Sequence, residues 1–190
     1  MDDAVRSDAM NTTSDADAPS QVESRALPVS AGRRAVAFWS IFGSVVVFDM
    51  ITKRLVERDL ALHQPRGVLG DWLRFTLTYN TGAAMNLSAG GASRVVFTLI
   101  AALMLVVLFR MYRQTPHHDL AQAVALALVA GGALGNLIDR LRSARGVVDF
   151  IDVGTGDWRF WTFNVADMGV TTGAILLSLL LLFRRPAAQE

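Results

Sequence analysis

The stretch from Asn136 to Asp167, NLIDRLRSARGVVDFIDVGTGDWRFWTFNVAD, sets five carboxylates and two amides between two long apolar runs. A carboxylate in or beside lipid is expensive, so an ionisable residue at a membrane edge is a functional candidate by default. Asp139, Asp149, Asp152 and Asp167 are the four candidates. Asp157 lies in the turn-like run Gly154 to Trp158, where a solvated turn residue explains it. Asp149 is flanked by Val147, Val148, Phe150 and Ile151, and an apolar setting raises a carboxylate's pKa. Two carboxylates brought together in a shielded site cannot easily both ionise, so one keeps a proton while the other is a base. Such a pair can activate water against an amide. The base takes a proton from water, the acid polarises the scissile carbonyl, and the pair titrates as a unit. Spacing leaves all four aspartates open as partners. The plain alternative is that they cap helix ends or pair with Arg140, Arg142 and Arg145.

The elements that must position these groups are membrane spans. The chain has 190 residues, 52% hydrophobic and 18% charged, with a mean hydropathy of +0.36, too apolar for an ordinary soluble domain. Arg33 and Arg34 precede an apolar run from Ala35 to Phe48 that continues past Asp49 to Lys53 and Arg54, enough for the ~20 residues a span needs. Asp49 and Lys53 share a face of this helix at the i, i+4 spacing, either as an interfacial ion pair or as support for the site. Val95 to Phe109, extendable to Met111, makes a second span, Leu120 to Ile138 a third and Val165 to Phe183 a fourth. Gly131, Gly132 and Gly135 in the third let another helix approach closely. Between the first two spans, Leu69 to Tyr79 alternates at Phe75 to Tyr79 and predicts a strand at the membrane surface. It runs into Asn80, Thr81 and Gly82, a tight-turn signal with amide hydrogen-bonding capacity.

Residues 1–32 carry six acidic residues against two arginines and no apolar period, which predicts a disordered tail without the apolar core of a secretory signal peptide. Residues 33–185 form the membrane domain and 186–190 a polar C-terminal tail. The net charge of +1 gives no case for nucleic acid. Cysteine is absent, which excludes disulfides, thiolate metal sites and cysteine nucleophiles. His63, His117 and His118 lack metal-site spacing, so no metal is expected.

Alternation of four spans puts Asp49, Asn80, Asn136, Asp139 and Asp167 on one membrane face, opposite the termini. Arginines flank the spans on both sides: Arg33, Arg34, Arg110, Arg113, Arg184 and Arg185 with the termini, Lys53, Arg54, Arg58, Arg66, Arg74, Arg94, Arg140, Arg142, Arg145 and Arg159 opposite. Charge therefore leaves the orientation undecided.

Five blocks, FDMITK at 48–53, YNTGAAMNL at 79–87, GGALGNLIDR at 131–140, VVDFID at 147–152 and FNVAD at 163–167, resemble the lipoprotein signal peptidases (signal peptidase II) of bacterial inner membranes. The blocks occur in family order and cover roughly residues 35–185. The resemblance implies an all-α membrane protein of four transmembrane helices with a small extracytoplasmic β-sheet cradle. It implies an aspartic endopeptidase that removes signal peptides from diacylglyceryl-modified prolipoproteins, cutting before the lipidated cysteine. Carried over by motif, Asp149 and Asp167 are the catalytic pair and Asn164 orients the site and substrate. Asn80, Gly82, Asn136, Asp139, Arg140, Asp49 and Lys53 are the supporting shell. The termini are then cytoplasmic, the site faces outward, membrane lipid surrounds it, and neither metal nor organic cofactor is involved. Met85 and Asn86 stand where the family commonly has Phe and a small residue, Trp161 replaces a frequent Pro, and the Arg140 to Asp149 connection is one residue longer. These departures leave the dyad motifs intact and bear on loop conformation and substrate preference.

The rival from another class is a small proton-coupled transporter or channel using the Asp cluster. Against it, none of these carboxylates lies at mid-span, where an ion pathway needs one. A serine and lysine peptidase would have to use Lys53, the sole lysine, which its spacing pairs with Asp49. A scaffold without chemistry is the remaining alternative.

Overall fold

The computed structural model describes residues 29–81 and 91–183. Four helices among the described residues are long and apolar enough to cross a membrane: α1 (Val29–Asp59), α2 (Gly91–Gln114), α3 (Leu120–Arg142) and α4 (Val165–Phe183). The last matches the fourth span read from the sequence. The others run further, since neither Lys53 nor Arg54 breaks a helix and α1 continues to Asp59. α1 also begins at Val29, inside the segment read as a tail; residues 1–28, Gly82, Met85, Asn86 and the C-terminal tail lie outside the described residues.

α3 is the central helix and packs against α1, α2 and α4. Its small residues make this possible. A Cβ on Gly131 would sit 2.9 Å from Val45 Cβ, and one on Gly132 would sit 2.2 Å from the Ala166 carbonyl oxygen, so bare backbone is what brings α1 and α4 onto α3. Away from the sheet, Phe38, Leu105, Leu108, Tyr112 and Leu126 fill the core, with the Phe38 and Tyr112 rings stacked at 3.8 Å.

Between the helices lies a four-stranded antiparallel sheet in the order β1 (Pro65–Leu69), β2 (Leu73–Asn80), β3 (Val147–Thr155), β4 (Trp158–Arg159). The alternating run Phe75 to Tyr79 falls in β2. The longer stretch from Leu69 is a hairpin rather than one strand, because Gly70 turns the chain at φ +56°. β3 has no alternation to read: Val147 to Phe150 are all buried, two of them against Val56 and Leu77 in a second core. In register, Thr78 faces Asp149 and Asn80 faces Val147. That pairing carries the Asn80 turn to the start of β3. Phe163 then bonds back to Ile151 in both directions, which returns the chain to the membrane beside Asp149 and starts α4 there.

Candidate active site

The site begins with a buried cation. Lys53 is 1% exposed, and its ammonium lies 2.7 Å from Asp49 Oδ2, one turn back on α1, and 2.8 Å from Asp139 Oδ2 on α3. It also donates to Asn136 Oδ1 at 2.9 Å. Two ion pairs and one hydrogen bond surround the ammonium, and pairing of this kind is what makes a buried charge tolerable. Both carboxylates have second tasks. Asp49 Oδ1 accepts the backbone N–H of Ala166 at 2.9 Å, in the first turn of α4, and Asp139 Oδ2 accepts that of Val148 at 3.2 Å, at the start of β3. One cation therefore ties α1, α3, β3 and α4 together. A Cβ on Gly135 would stand 2.6 Å from Asp49 Oδ2, so Gly135 provides the space in which this carboxylate sits.

Asn164 and Asn136 connect this base to two further carboxylates. Asn164 is fully buried; its side-chain N–H donates to Asp149 Oδ1 at 2.6 Å, and its backbone N–H donates to Asp167 Oδ2 at 3.1 Å. Asn136 Nδ2 donates to Asp167 Oδ1 at 2.8 Å. From the other side, Asn80 Nδ2 donates to Asp149 Oδ2 at 3.2 Å. Every oxygen of the two carboxyls thus meets at least one protein donor. Arg140 donates to the Asn136 carbonyl at 3.1 Å, which sets its guanidinium on the last turns of α3 beside the site.

The electrostatics separate the aspartates of β3. Burial pushes Asp149 up to about 7, and the negative charge of Asp167 adds to the effect; the amides of Asn80 and Asn164 and the charge of Lys53 oppose it. A carboxyl with that value exchanges its proton around neutrality. Asp152 is different. Burial would raise it, but bonds from Arg159, Thr76 and Arg74 prevail and hold it below the usual carboxylate range. The Arg74 guanidinium lies 3.0 Å and the Thr76 hydroxyl 2.8 Å from Asp152 Oδ2, so this side chain pins the sheet together on the face away from Asp149.

The structure brings together Asp49, Lys53, Asn80, Asn136, Asp139, Arg140, Asp149, Asn164 and Asp167, leaves Asp152 in a sheet cluster, and leaves Asp157 exposed in the β3–β4 turn. Sequence reasoning missed Thr78, whose hydroxyl donates to the Asp149 carbonyl at 3.3 Å and bonds the Thr162 hydroxyl at 2.8 Å. It also missed Gly146, at φ +96°, where a Cβ would stand 2.3 Å from the Asn80 carbonyl oxygen. The glycine one residue before an apolar run was the available signal. A cavity of about 350 Å³ lined by Phe160, Phe163, Asp167, Met168, Thr171 and Thr172 opens beside the site on the outer surface of α4.

The family profile described as "Signal peptidase (SPase) II" matches residues 41–183. A lipoprotein signal peptidase of Pseudomonas syringae pv. tomato is 42% identical over 153 residues, covering 79% of this chain and 87% of its own. One of Streptomyces coelicolor is 40% identical over 153 residues, covering 78% of this chain and 71% of its own. Among solved structures, a bacterial membrane enzyme determined by the in meso method superposes with a TM-score of 0.70 at 32% identity, over 81% of this chain and 95% of that one. A transporter finds no support in these relatives, and Lys53, which a serine and lysine peptidase would have to use, is held between two carboxylates. On the profile, the relatives and the shared fold together, the chain belongs to the signal peptidase II family of aspartic peptidases.

Proposed function

We propose that Asp149 and Asp167 are the catalytic dyad of an endopeptidase that removes the signal peptide from diacylglyceryl-modified prolipoproteins, cutting before the lipidated cysteine. The observation that carries this reading is Asn164, which donates to one oxygen of each carboxyl, 2.6 Å to Asp149 and 3.1 Å to Asp167. A single buried residue thereby fixes the two acids relative to each other. With one proton between them, the carboxylate form takes a proton from water as the oxygen attacks the scissile carbonyl, and the protonated form hydrogen-bonds the carbonyl oxygen. The tetrahedral intermediate then collapses, the C–N bond breaks, and the proton goes to the leaving amine. Lys53, Asp49 and Asp139 are positioning residues in this scheme, since they hold α3, α4 and β3 around the dyad, while Asn136 orients the Asp167 carboxyl by direct contact.

The finer placement of the reaction also belongs to this proposal. The enzyme lies in the bacterial inner membrane with both termini cytoplasmic and the dyad near the outer face. The cavity beside Asp167 supports a lipid-borne substrate, because its aromatic and methionine walls adjoin the surface that α4 turns to lipid. Asp149→Asn and Asp167→Asn are each expected to abolish cleavage of a lipid-modified precursor while the protein still accumulates in the membrane. Normal cleavage by either variant removes that residue from the dyad, and equal cleavage of an unmodified precursor removes the lipid requirement.

A further inference from the structure

Three of the four tryptophans, Trp72 in the β1–β2 turn, Trp158 in β4 and Trp161 in the segment that leads from it to α4, are exposed, Trp158 by 73% and Trp161 by 77%. Exposed rings on a mobile loop would mean little, but these are held. Asp71, in the β1–β2 turn, accepts the backbone N–H of Gly156, in the β3–β4 turn, at 2.6 Å, and Gly154 N–H donates to the Trp72 carbonyl at 2.9 Å. Arg159 bonds the Asp71 carbonyl at 3.0 Å and also reaches Asp152. The two hairpin tips are therefore stapled into one unit. The same bonds consume the nearby charges: the Asp71 carboxyl is held low by the Gly156 N–H and by Arg159 and Arg74, so the guanidinium groups beside the rings are already matched.

The aromatic surface does not stop at the sheet. Phe160 packs on both Trp161 and Phe163 with ring centres 5.9 Å apart, and it shares a cavity wall with Met168 of α4. Met168 is itself exposed, on a helix whose outward residues Ile175, Leu179 and Leu182 face lipid. The patch is thus continuous with the membrane-facing surface of a span. Tryptophan is the side chain that settles at the boundary between headgroups and acyl chains, because its ring is apolar and its N–H still needs a partner.

We propose that the aromatic arm formed by Trp158, Phe160 and Trp161, together with Trp72, is seated in the interfacial zone of the leaflet on the sheet's side of the membrane. The arm fixes the sheet flat against the bilayer. It also keeps the mouth of the Asp167 cavity level with the leaflet.

The test uses the full chain in bilayers and reads fluorescence, so it is independent of the peptidase assignment. Two variants each retain one emitter, Trp161 in Trp39→Phe/Trp72→Phe/Trp158→Phe and Trp158 in the corresponding set. Each is reconstituted in phosphatidylcholine with or without lipid brominated near the headgroup end of its acyl chains, and thermal unfolding checks that it folds. Blue-shifted emission and several-fold stronger quenching by the brominated lipid than by aqueous iodide are expected for both rings. Free access of iodide with little bromolipid quenching overturns the proposal and leaves the patch to a protein partner.

Discussion

Asn164 and Asp167 bind each other twice: the Asn164 side-chain oxygen accepts the N–H of Asp167 at 2.9 Å, and Asp167 Oδ2 accepts the N–H of Asn164 at 3.1 Å. Since α4 starts at Val165, this is a reciprocal capping box, with Asn164 as the N-cap and Asp167 three residues on. The proposed catalytic carboxyl is thus oriented by the device that starts its helix.

The two jobs of Asn164 can be separated. Serine also caps helices, so Asn164→Ser keeps the bond to the Asp167 N–H but has no amide to extend to Asp149. Its melting temperature should fall somewhat, because the amide's bonds to the Val148 carbonyl and Asn136 Oδ1 go too, while kcat for a lipid-modified precursor falls on the order of a hundredfold, the usual cost of a small misplacement. Asn164→Ala loses the cap as well and should be less stable by a further ~1 kcal/mol. Equal activity of the serine variant and the parent would show that the Asn164 to Asp149 bond does not position the dyad.

The raised value of Asp149 makes a pH prediction with a definite sign. Its folded-state pKa of about 7 lies above the ordinary 3.8, because burial and then Asp167 disfavour the charged form. The folded protein therefore binds this proton more tightly than the unfolded chain does. Its stabilising contribution is complete below the ordinary value and is lost as pH rises through about 7. Between about pH 5 and pH 9, the parent should lose both melting temperature and cleavage rate. Asp149→Asn, having no proton to lose, should show a flatter melting profile, with a difference of a few kcal/mol in stability at the alkaline end. Parallel melting profiles would contradict the assigned shift.

How much of this was readable beforehand follows from which periodicities survive burial. The four spans were readable because an apolar run of that length has few other uses. The Asp49 and Lys53 pair was readable because it is local to one helix. Asp139 as the second partner of Lys53 was not, since it comes from another helix and only packing brings it near. β3 escaped notice because it is buried on both faces and so does not alternate. Spacing alone therefore did not separate Asp149 from Asp152, and only the family motif did. Once they share a strand, their spacing of three places them on opposite faces, one toward Asn80 and Asn164 and the other toward Arg74 and Thr76.

Two glycines distinguish a packing requirement from mere helix chemistry. In an exposed helix interior, Gly to Ala stabilises by roughly 0.5–1 kcal/mol. Gly43 has nothing within 4 Å of an added Cβ, so Gly43→Ala should be neutral or gain that amount with activity unchanged. Gly135→Ala should behave oppositely. Its methyl would press on Asp49 Oδ2 at 2.6 Å, and Asp49 cannot yield without disturbing Lys53 or the Ala166 N–H. Net destabilisation of about 1–3 kcal/mol, typical of overpacking, is expected, with a loss of activity. Thermal melts of the two variants beside the parent check both signs.

The direction in which the molecule faces is open to a test that its composition makes clean. Basic residues flank the spans on both sides, Arg110 and Arg113 near the α2–α3 connection and Arg54, Arg58, Arg142 and Arg145 on the side of the sheet, so the usual excess of positive charge does not choose between them. The chain contains no cysteine, so a single introduced thiol is the only one to label. Ala61, between α1 and β1, and His117, between α2 and α3, are both exposed and lie across the membrane from each other. If the dyad works at the outer face, Ala61→Cys should react with a membrane-impermeant maleimide on intact spheroplasts. His117→Cys should react only after permeabilisation. The reverse pattern would place Asp149 and Asp167 on the cytoplasmic face, out of reach of a precursor whose signal peptide ends outside.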